Sequence, residues 1–538
     1  MRLPQRKVAL AVALVLLGLF LAAPSLAWGL EPRGRAGYPI EYGYAVLLVL
    51  ATSRTRLQSA ARGAFVALYA LLLLFLIYEY LFPTYFRHEP ALAQDWKLGI
   101  DLYHFASRTR SWVVWVGAIV GCVALVGLVD RVVYLAQAHL APGRRALIAA
   151  AAVWSVVAVG SALAHGPFVF AGVKVADNYR ASIEARRRLA GLDRPEHDDR
   201  YGPLMKVRLA RKPSFYFLVI EAYGEILTTW DMTEPYRALM QRAREHLERA
   251  GYHMRSSYST SPIHGGRSWL SIATMQSGIT IDVPDTFSAF EPVSRKIPTL
   301  VGFFHEQGYA TASLEPGTNW KTGTAADLYP DDVRFDAAEL RYTGPKWGFG
   351  VIPDKYAWDE LRARELERLG EPRYVFYMAT STHYPWTAET IPSYESPDWS
   401  APLPGLDAVG TEFRRYYVKS LDYEWHVLCD VLEADPSRDL VVVIIGDHQP
   451  RLETNFPGEV TFNTPIHILS RDAAFVERFA RLGFEQGLFV EPGRAEPLSH
   501  AGLFSLLVTE LAAAYGTPET RDLARYFPDG IGLGGLKP

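Results

Sequence analysis

The sequence predicts a two-part protein: an N-terminal α-helical membrane bundle of about five transmembrane helices, then an α/β domain with a mostly parallel sheet. Three observations predict it. Residues 1 to about 171 are crowded with Leu, Val and Ala in runs of bilayer length. From about residue 205, short continuous apolar strands alternate with helical runs, the pattern of a parallel sheet covered on both faces. Several of those strands end in Glu, Asp or His, which places reactive side chains together at one sheet edge.

The 538-residue chain is too long for one ordinary domain. Its formal net charge of -3 and lack of a basic domain give no reason to expect a nucleic-acid partner. Its two cysteines, Cys122 in an apolar run and Cys429 far away, make neither a disulfide framework nor a cysteine metal site.

In the first part, spans are expected at about 8–28, 38–53, 62–83, 112–130 and 146–170, against a bilayer core of about 30 Å. The second is short and carries Glu41. Arg2, Arg6 and Lys7 precede the first; Arg54, Arg56 and Arg62 fall in one later loop, and Arg131, Arg144 and Arg145 in another. By the positive-inside rule those segments are cytoplasmic. An odd number of spans then sends the large C-terminal part to the face opposite the N-terminus, outside the cytoplasm. The loop at about 84–111 mixes acids with Arg and Lys and argues less cleanly. Glu41 and Glu79 are read as reaching the interface, with an intramembrane role as the alternative. The domain boundaries are 1–171 for the bundle, 172–204 for a juxtamembrane linker and 205–538 for the outer domain. In the linker, Arg186-Arg187-Arg188 fits either anionic headgroups or a solvated helix face.

The second part reads, in order, as a strand at Phe215–Ile220 ending in Glu221, a helix at Pro235–Ala250, and the stretch STSPIHGGRSWLSIATMQSG, where a Gly-Gly-Arg turn delivers Ser268 to an apolar helical run. Leu300–Gly308 is a helix and Tyr309–Leu314 a strand. Tyr356–Leu369 is a helix, followed by the strand Tyr374–Ala379 and the loop 380–386. A long helix at Phe413–Ala434 precedes the most apolar strand, Leu440–Ile445, which runs into Gly446-Asp447-His448. A strand at Pro465–Leu469 and a helix at Ala501–Ala514 complete the domain.

Glu221, Asp447 and His448 supply two carboxylates and an imidazole, a donor set that suits a hard or borderline divalent cation. The hydroxyl of Ser268 can fill a fourth position, where a cation makes its proton easier to lose. Ser268 read alone is a helix cap; the strand-end residues elsewhere turn it into a candidate nucleophile.

These residues resemble a known family. The strand ending in Glu221, the Gly-Gly-Arg-Ser turn, the loop Thr380-Ser-Thr-His383-Tyr-Pro385 and Gly446-Asp447-His448 look like the sulfatase-like branch of the alkaline phosphatase superfamily, and within it the lipoteichoic acid synthase and phosphoglycerol transferase family. The resemblance implies an α/β alkaline phosphatase/sulfatase-like outer domain behind about five membrane helices. It implies that Glu221, Ser268, Asp447 and His448 hold one divalent cation, Mn²⁺ ahead of Zn²⁺ or Mg²⁺, with Ser268 as nucleophile and His383 touching substrate. In lipoteichoic acid synthases the nucleophile is normally Thr. The phosphate-binding Arg of relatives, just after a Trp, is replaced here around Trp320-Lys321-Thr322, so Lys321 is its stand-in and Trp320 its neighbour. The x-Pro-x-Arg of formylglycine sulfatases is missing after Ser268, although Ser277-Gly278 keeps the offset of their Thr-Gly.

The implied reaction moves a phosphoglycerol-type group from a membrane phospholipid to a cell-envelope glycan through a phospho-serine intermediate. The alternatives are phosphoethanolamine transfer or ester hydrolysis on the same scaffold, and a non-catalytic envelope scaffold. A cysteine-rich outer domain, usual in lipid A phosphoethanolamine transferases, is missing. Arg267 can touch phosphate. Thr260 is the rival hydroxyl, His264 reads as a loop residue, His467 faces the core or the site, and His500 reads as a cap or surface residue. Trp347 and Trp386, with Trp320, can wall a sugar or glycerol pocket or sit in the core.

Overall fold

The computed structural model describes residues 3–28, 38–86, 112–140, 142–164, 168–169, 171–189, 200–318, 329, 331–345, 347, 352–392, 399, 401–450, 461–494 and 496–531. The chain forms two compact units, Met1–Glu184 and Ala185–Pro538. Trp320, Lys321 and most of the 84–111 loop lie outside the described residues.

The first unit is helical: α1 (Leu3–Trp28), α2 (Ile40–Ala51), α3 (Gln58–Phe86), α4 (Trp112–His139) and α5 (Arg144–Ala164), with α6 (Ala171–Leu189) following. A helix therefore stands at each of the five expected stretches. Among the described residues three segments are long and apolar enough to cross a membrane: Pro4–Leu21, Gln58–Glu79 and Ile119–His139. Leu16, Leu71, Ile119 and Val123 point outward and exposed, a surface suited to lipid and not to water. Inside, the polar tips that the helices bury find backbone acceptors, Tyr42 Oη on the Leu14 carbonyl (2.6 Å) and Tyr69 Oη on that of Leu17 (3.0 Å). The two acids near span ends both hold the start of α6. Glu41 Oε1 accepts from the Gly172 N–H at 2.8 Å, and Glu79 Oε2 pairs with Lys174 Nζ at 2.6 Å.

The second unit is built on a nine-stranded sheet. Its strands are β1 (Ser214–Ile220), β2 (His253–Thr260), β3 (Ala310–Glu315), β4 (Val333–Asp336), β5 (Arg373–Ala379), β6 (Leu440–Gly446), β7 (Asn463–Ser470), β8 (Glu485–Gln486) and β9 (Leu498–Ser499). The order is β8-β2-β7-β6-β1-β5-β3-β4, with β9 beside β2. From β6 to β4 all pairings are parallel, and β6-β7-β2-β8 are antiparallel. The central strands are buried along their whole length because helices cover both faces. These helices are α7 (Thr233–Arg249), α8 (Ser268–Ser277), α9 (Leu300–Glu306), α10 (Asp354–Leu361), α11 (Glu412–Glu433) and α12 (Leu503–Tyr515).

Register places the site. Ile220 of β1 stands opposite Ala379 of β5 and Gly446 of β6. The next residue of each chain, Glu221, Thr380 and Asp447, therefore leaves the sheet at the same level. Strand β2 has no counterpart among the elements expected from the sequence. Its serines are buried because two histidines meet them: Ser256 Oγ lies 2.6 Å from His467 Nδ1 and Ser259 Oγ 2.8 Å from His500 Nδ1.

Candidate active site

Glu221 follows β1 directly, and Ala222 after it takes a left-handed conformation (φ 54°) that turns the chain off the sheet. Thr382 Oγ1 donates to the Glu221 carbonyl at 2.6 Å and fixes that turn. On the next strand a Cβ at Gly446 would stand 1.9 Å from the Tyr223 carbonyl oxygen, so only glycine lets β6 end against it. Asp447 is then held at its main chain by two hydroxyls, Ser261 Oγ (2.6 Å) and Ser271 Oγ (2.7 Å), both donating to its carbonyl.

Gly265, Gly266 and Arg267 all have positive φ (71°, 126° and 70°). An arginine there stores backbone strain of about 1–3 kcal/mol, as residues beside working sites often do. The turn sets Ser268 at the first position of α8, among the helix's unbonded N–H groups. The helix-cap reading of Ser268 fails: Arg267 holds the cap position, and Ser268 Oγ donates to Glu221 Oε2 at 2.8 Å. It also lies 3.4 Å from His448 Nε2.

The three other groups close around that hydroxyl. His448 Nε2 is 3.4 Å from Glu221 Oε1 and 3.3 Å from Asp447 Oδ2. His448 Nδ1 donates to the Gln449 carbonyl (2.9 Å), the outer bond that aims the other ring nitrogen inward. Asp447 Oδ1 accepts from the backbone N–H groups of Ala222 (2.8 Å) and His448 (2.7 Å). Its Oδ2 has no hydrogen-bond partner although the residue is 0% exposed. A buried carboxylate oxygen that accepts no hydrogen bond and has the His448 ring 3.3 Å away is suited to hold a cation. Ligand atoms of Glu221, Asp447 and His448 all lie within 4.8 Å of one another, so the donor set fits one divalent ion.

Electrostatics give the same account. Burial opposes charge on His448, but Asp447 and Glu221 outweigh it and push its pKa up to about 9. Burial and then the Glu221 charge push Asp447 up to about 7. Burial also works against Glu221, yet the charge of His448 and its hydrogen bond, with His383 and Ser268 adding, hold it down to about 2. The cluster holds a proton because it is short of one positive charge.

His383 lies in the loop after β5, close enough for its charge to act on Glu221; its Nδ1 is 2.5 Å from the Tyr384 carbonyl oxygen. Arg267 is buried beside Ser268. Other candidates stand elsewhere. Thr260 Oγ1 bonds Asn463 Oδ1 (2.9 Å) at the end of β2. His264 is buried with its ring against Phe462. His467 is a core residue, bonded to Ser256 and to Tyr223 Oη (3.0 Å). His500 corrects the surface reading: it is fully buried, with Nε2 3.2 Å from the Gly446 carbonyl, beneath the site and not in it. Trp386 is core, packed on Tyr417 with its Nε1 on the Thr382 carbonyl (2.8 Å). Trp347 is half-buried. The supporting hydroxyls of Ser261, Ser271 and Thr382 carried no sequence signal beyond adjacency to the motifs.

No family model and no curated protein sequence matches the chain. Solved structures do. The chain is similar to the integral membrane lipooligosaccharide phosphoethanolamine transferase A of Neisseria meningitidis, at 14% identity and TM-score 0.46, over 88% of this chain and 87% of that one. It is similar to the lipoteichoic acid synthase LtaP of Listeria monocytogenes (13%, TM-score 0.39, 57% and 76%). A third is the phosphoglycerol transferase GacH of Streptococcus pyogenes, solved with sn-glycerol-1-phosphate (12%, TM-score 0.38, 62% and 85%).

Proposed function

We propose that the chain is a membrane-anchored, metal-dependent transferase that moves a phosphoglycerol-type group from a phospholipid to an envelope glycan, with Ser268 as nucleophile. One observation carries it: Ser268 Oγ stands at a helix start, 2.8 Å from one carboxylate and 3.4 Å from an inward-aimed imidazole, beside a buried carboxylate oxygen that lacks a donor. Glu221, Asp447 and His448 would hold the cation, Mn²⁺ ahead of Zn²⁺ or Mg²⁺. When bound it supplies Lewis acidity, lowering the pKa of the serine hydroxyl and offsetting phosphoryl charge.

Ser268 Oγ attacks phosphorus as its proton passes out along the hydrogen bond to Glu221, the P–O bond to the diacylglycerol oxygen breaks, and that oxygen takes up the proton so that diacylglycerol leaves as the alcohol. Arg267 and His383 face the nonbridging oxygens, with Trp320 and Lys321 proposed for the same pocket. The acceptor hydroxyl then attacks the phospho-serine and restores Ser268; water in its place gives hydrolysis. The domain lies on the extracytoplasmic side of a multi-pass inner-membrane anchor, where donor lipid and glycan meet.

The test incubates wild type and Ser268→Ala with labelled phosphatidylglycerol or phosphatidylethanolamine, and seeks an adduct on the 260–280 peptide by mass spectrometry. An adduct from phosphatidylglycerol, lost in the Ala variant, supports the proposal. One formed only from phosphatidylethanolamine replaces the headgroup, and one persisting in Ser268→Ala sinks the nucleophile.

A further inference from the structure

Behind the candidate site lies a second pair of acids. Asp354, the first residue of α10, and Glu424, in the middle of α11, are both 0% exposed. Asp354 Oδ2 accepts the backbone N–H groups of Thr380 (3.0 Å) and Ser381 (2.6 Å), and the Asp354 N–H donates back to Ser381 Oγ at 3.2 Å. Glu424 Oε1 accepts from Tyr377 Oη of β5 at 2.9 Å. The two oxygens left over, Asp354 Oδ1 and Glu424 Oε2, have no other hydrogen-bond partner, and the two carboxyl groups meet each other. Among the described residues Tyr423 of α11 also faces the pair, and its Oη accepts the Lys355 N–H at 3.3 Å.

Two carboxylates cannot both ionise in such a place without a cation. A single proton on Glu424 Oε2, donated to Asp354 Oδ1, satisfies both leftover oxygens. Asp354 then keeps its charge, which its two backbone amides stabilise, and Glu424 is neutral. Burial pushes both pKa values up, and on Glu424 the Asp354 charge adds to it. The beneficiary is the loop. Thr380 and Ser381 lead directly to Thr382, which holds the Glu221 carbonyl, and to His383, whose charge reaches Glu221.

We propose that Asp354 and Glu424 are positioning residues, a buried carboxyl pair sharing one proton that clamps the Thr380–His383 loop against Glu221. The role in catalysis rests on the proposed transferase reading; the shared proton and the clamp do not.

The experiment uses the full-length protein, with three variants. Infrared difference spectra at neutral pH between wild type and Glu424→Gln report the carbonyl stretch of an un-ionised carboxylic acid. Hydrogen exchange read by mass spectrometry on a peptide covering residues 376–386 reports the clamp. The expected result is one un-ionised carboxyl band lost in Glu424→Gln with unchanged loop exchange, since the amide N–H replaces the acid O–H. Asp354→Asn and Glu424→Leu should speed loop exchange about tenfold or more, a loss of about 1.4 kcal/mol of local stability. If Asp354→Asn does not fold, the contrast between Glu424→Gln and Glu424→Leu decides. No band lost in Glu424→Gln overturns the shared proton, and equal loop exchange in Gln and Leu variants overturns the clamp. Failure of the transferase reading shows separately, as wild type without turnover while band and exchange behave as stated.

Discussion

Ser268 Oγ donates to Glu221 Oε2 at 2.8 Å across 47 residues of sequence, joining the start of a helix to the end of the central strand. A hydroxyl in that place serves either as a nucleophile or as a structural tie. Ser268→Ala separates them. Loss of a nucleophile should cut turnover by about a thousandfold or more. Loss of one hydrogen bond should cost only about 1 kcal/mol of stability. The expected outcome is an inactive protein with nearly unchanged melting temperature and undiminished metal stoichiometry. Parallel falls in activity and stability would favour the tie.

Asp447→Asn tests the cation site. The amide preserves shape but removes the charge of the Asp447 carboxylate, whose buried Oδ2 accepts no hydrogen bond. Metal affinity should fall by more than the roughly 10–100-fold typical of outer-sphere changes. Because a ligand that binds only the folded state raises stability by mass action, chelation should lower the melting temperature of wild type and leave the variant unmoved. Equal responses to chelator would count against Asp447 as a ligand.

The parts of this site that were legible in the sequence share a cause. Glu221, His383, Asp447 and His448 follow continuous apolar strands, and parallel register delivers such residues to one edge. Strand β2 was hard to see because three of its five buried positions are serines, and the histidines that Ser256 and Ser259 meet, His467 and His500, come from over 200 residues away. The same distance hid the fate of His500, whose sequence neighbours look like a helix start and whose surroundings are entirely core. The mostly parallel sheet was expected; its antiparallel end depends on pairing of β7 with β6 and of β2 with β7 and β8, which local pattern does not encode.

Those two histidines also set an acid limit on the fold. Burial pushes the pKa of each down to about 3, His500 keeping some help from the Gly446 and Asp447 backbones. Each is therefore neutral when folded, while in the unfolded chain it titrates near the ordinary value of about 6.5. Below that pH the unfolded state binds more protons. Stability present above about pH 6.5 is lost as pH falls toward 3, by at most about 1.4 kcal/mol per pH unit for each histidine. Urea midpoints measured between pH 7 and 5 should fall in wild type, and fall less steeply in His467→Gln. An identical slope in the variant would remove His467 from the account.

Thr382 connects the substrate-side loop to the cation site through one bond, its Oγ1 on the Glu221 carbonyl at 2.6 Å, and it is 0% exposed. Thr382→Val keeps the volume and branching but leaves that buried carbonyl without a donor. Such a loss costs about 1–3 kcal/mol. The carbonyl belongs to a residue whose side chain meets both Ser268 and His448, so its displacement should reach the cation as well. The expected outcome is a lowered melting temperature together with weaker metal binding, by about tenfold or more on the pattern of outer-sphere substitutions. Thr382→Ser, which retains the hydroxyl, should restore most of both. A stability loss with metal affinity untouched would mean that the Glu221 side chain is held by its own contacts and not by the loop.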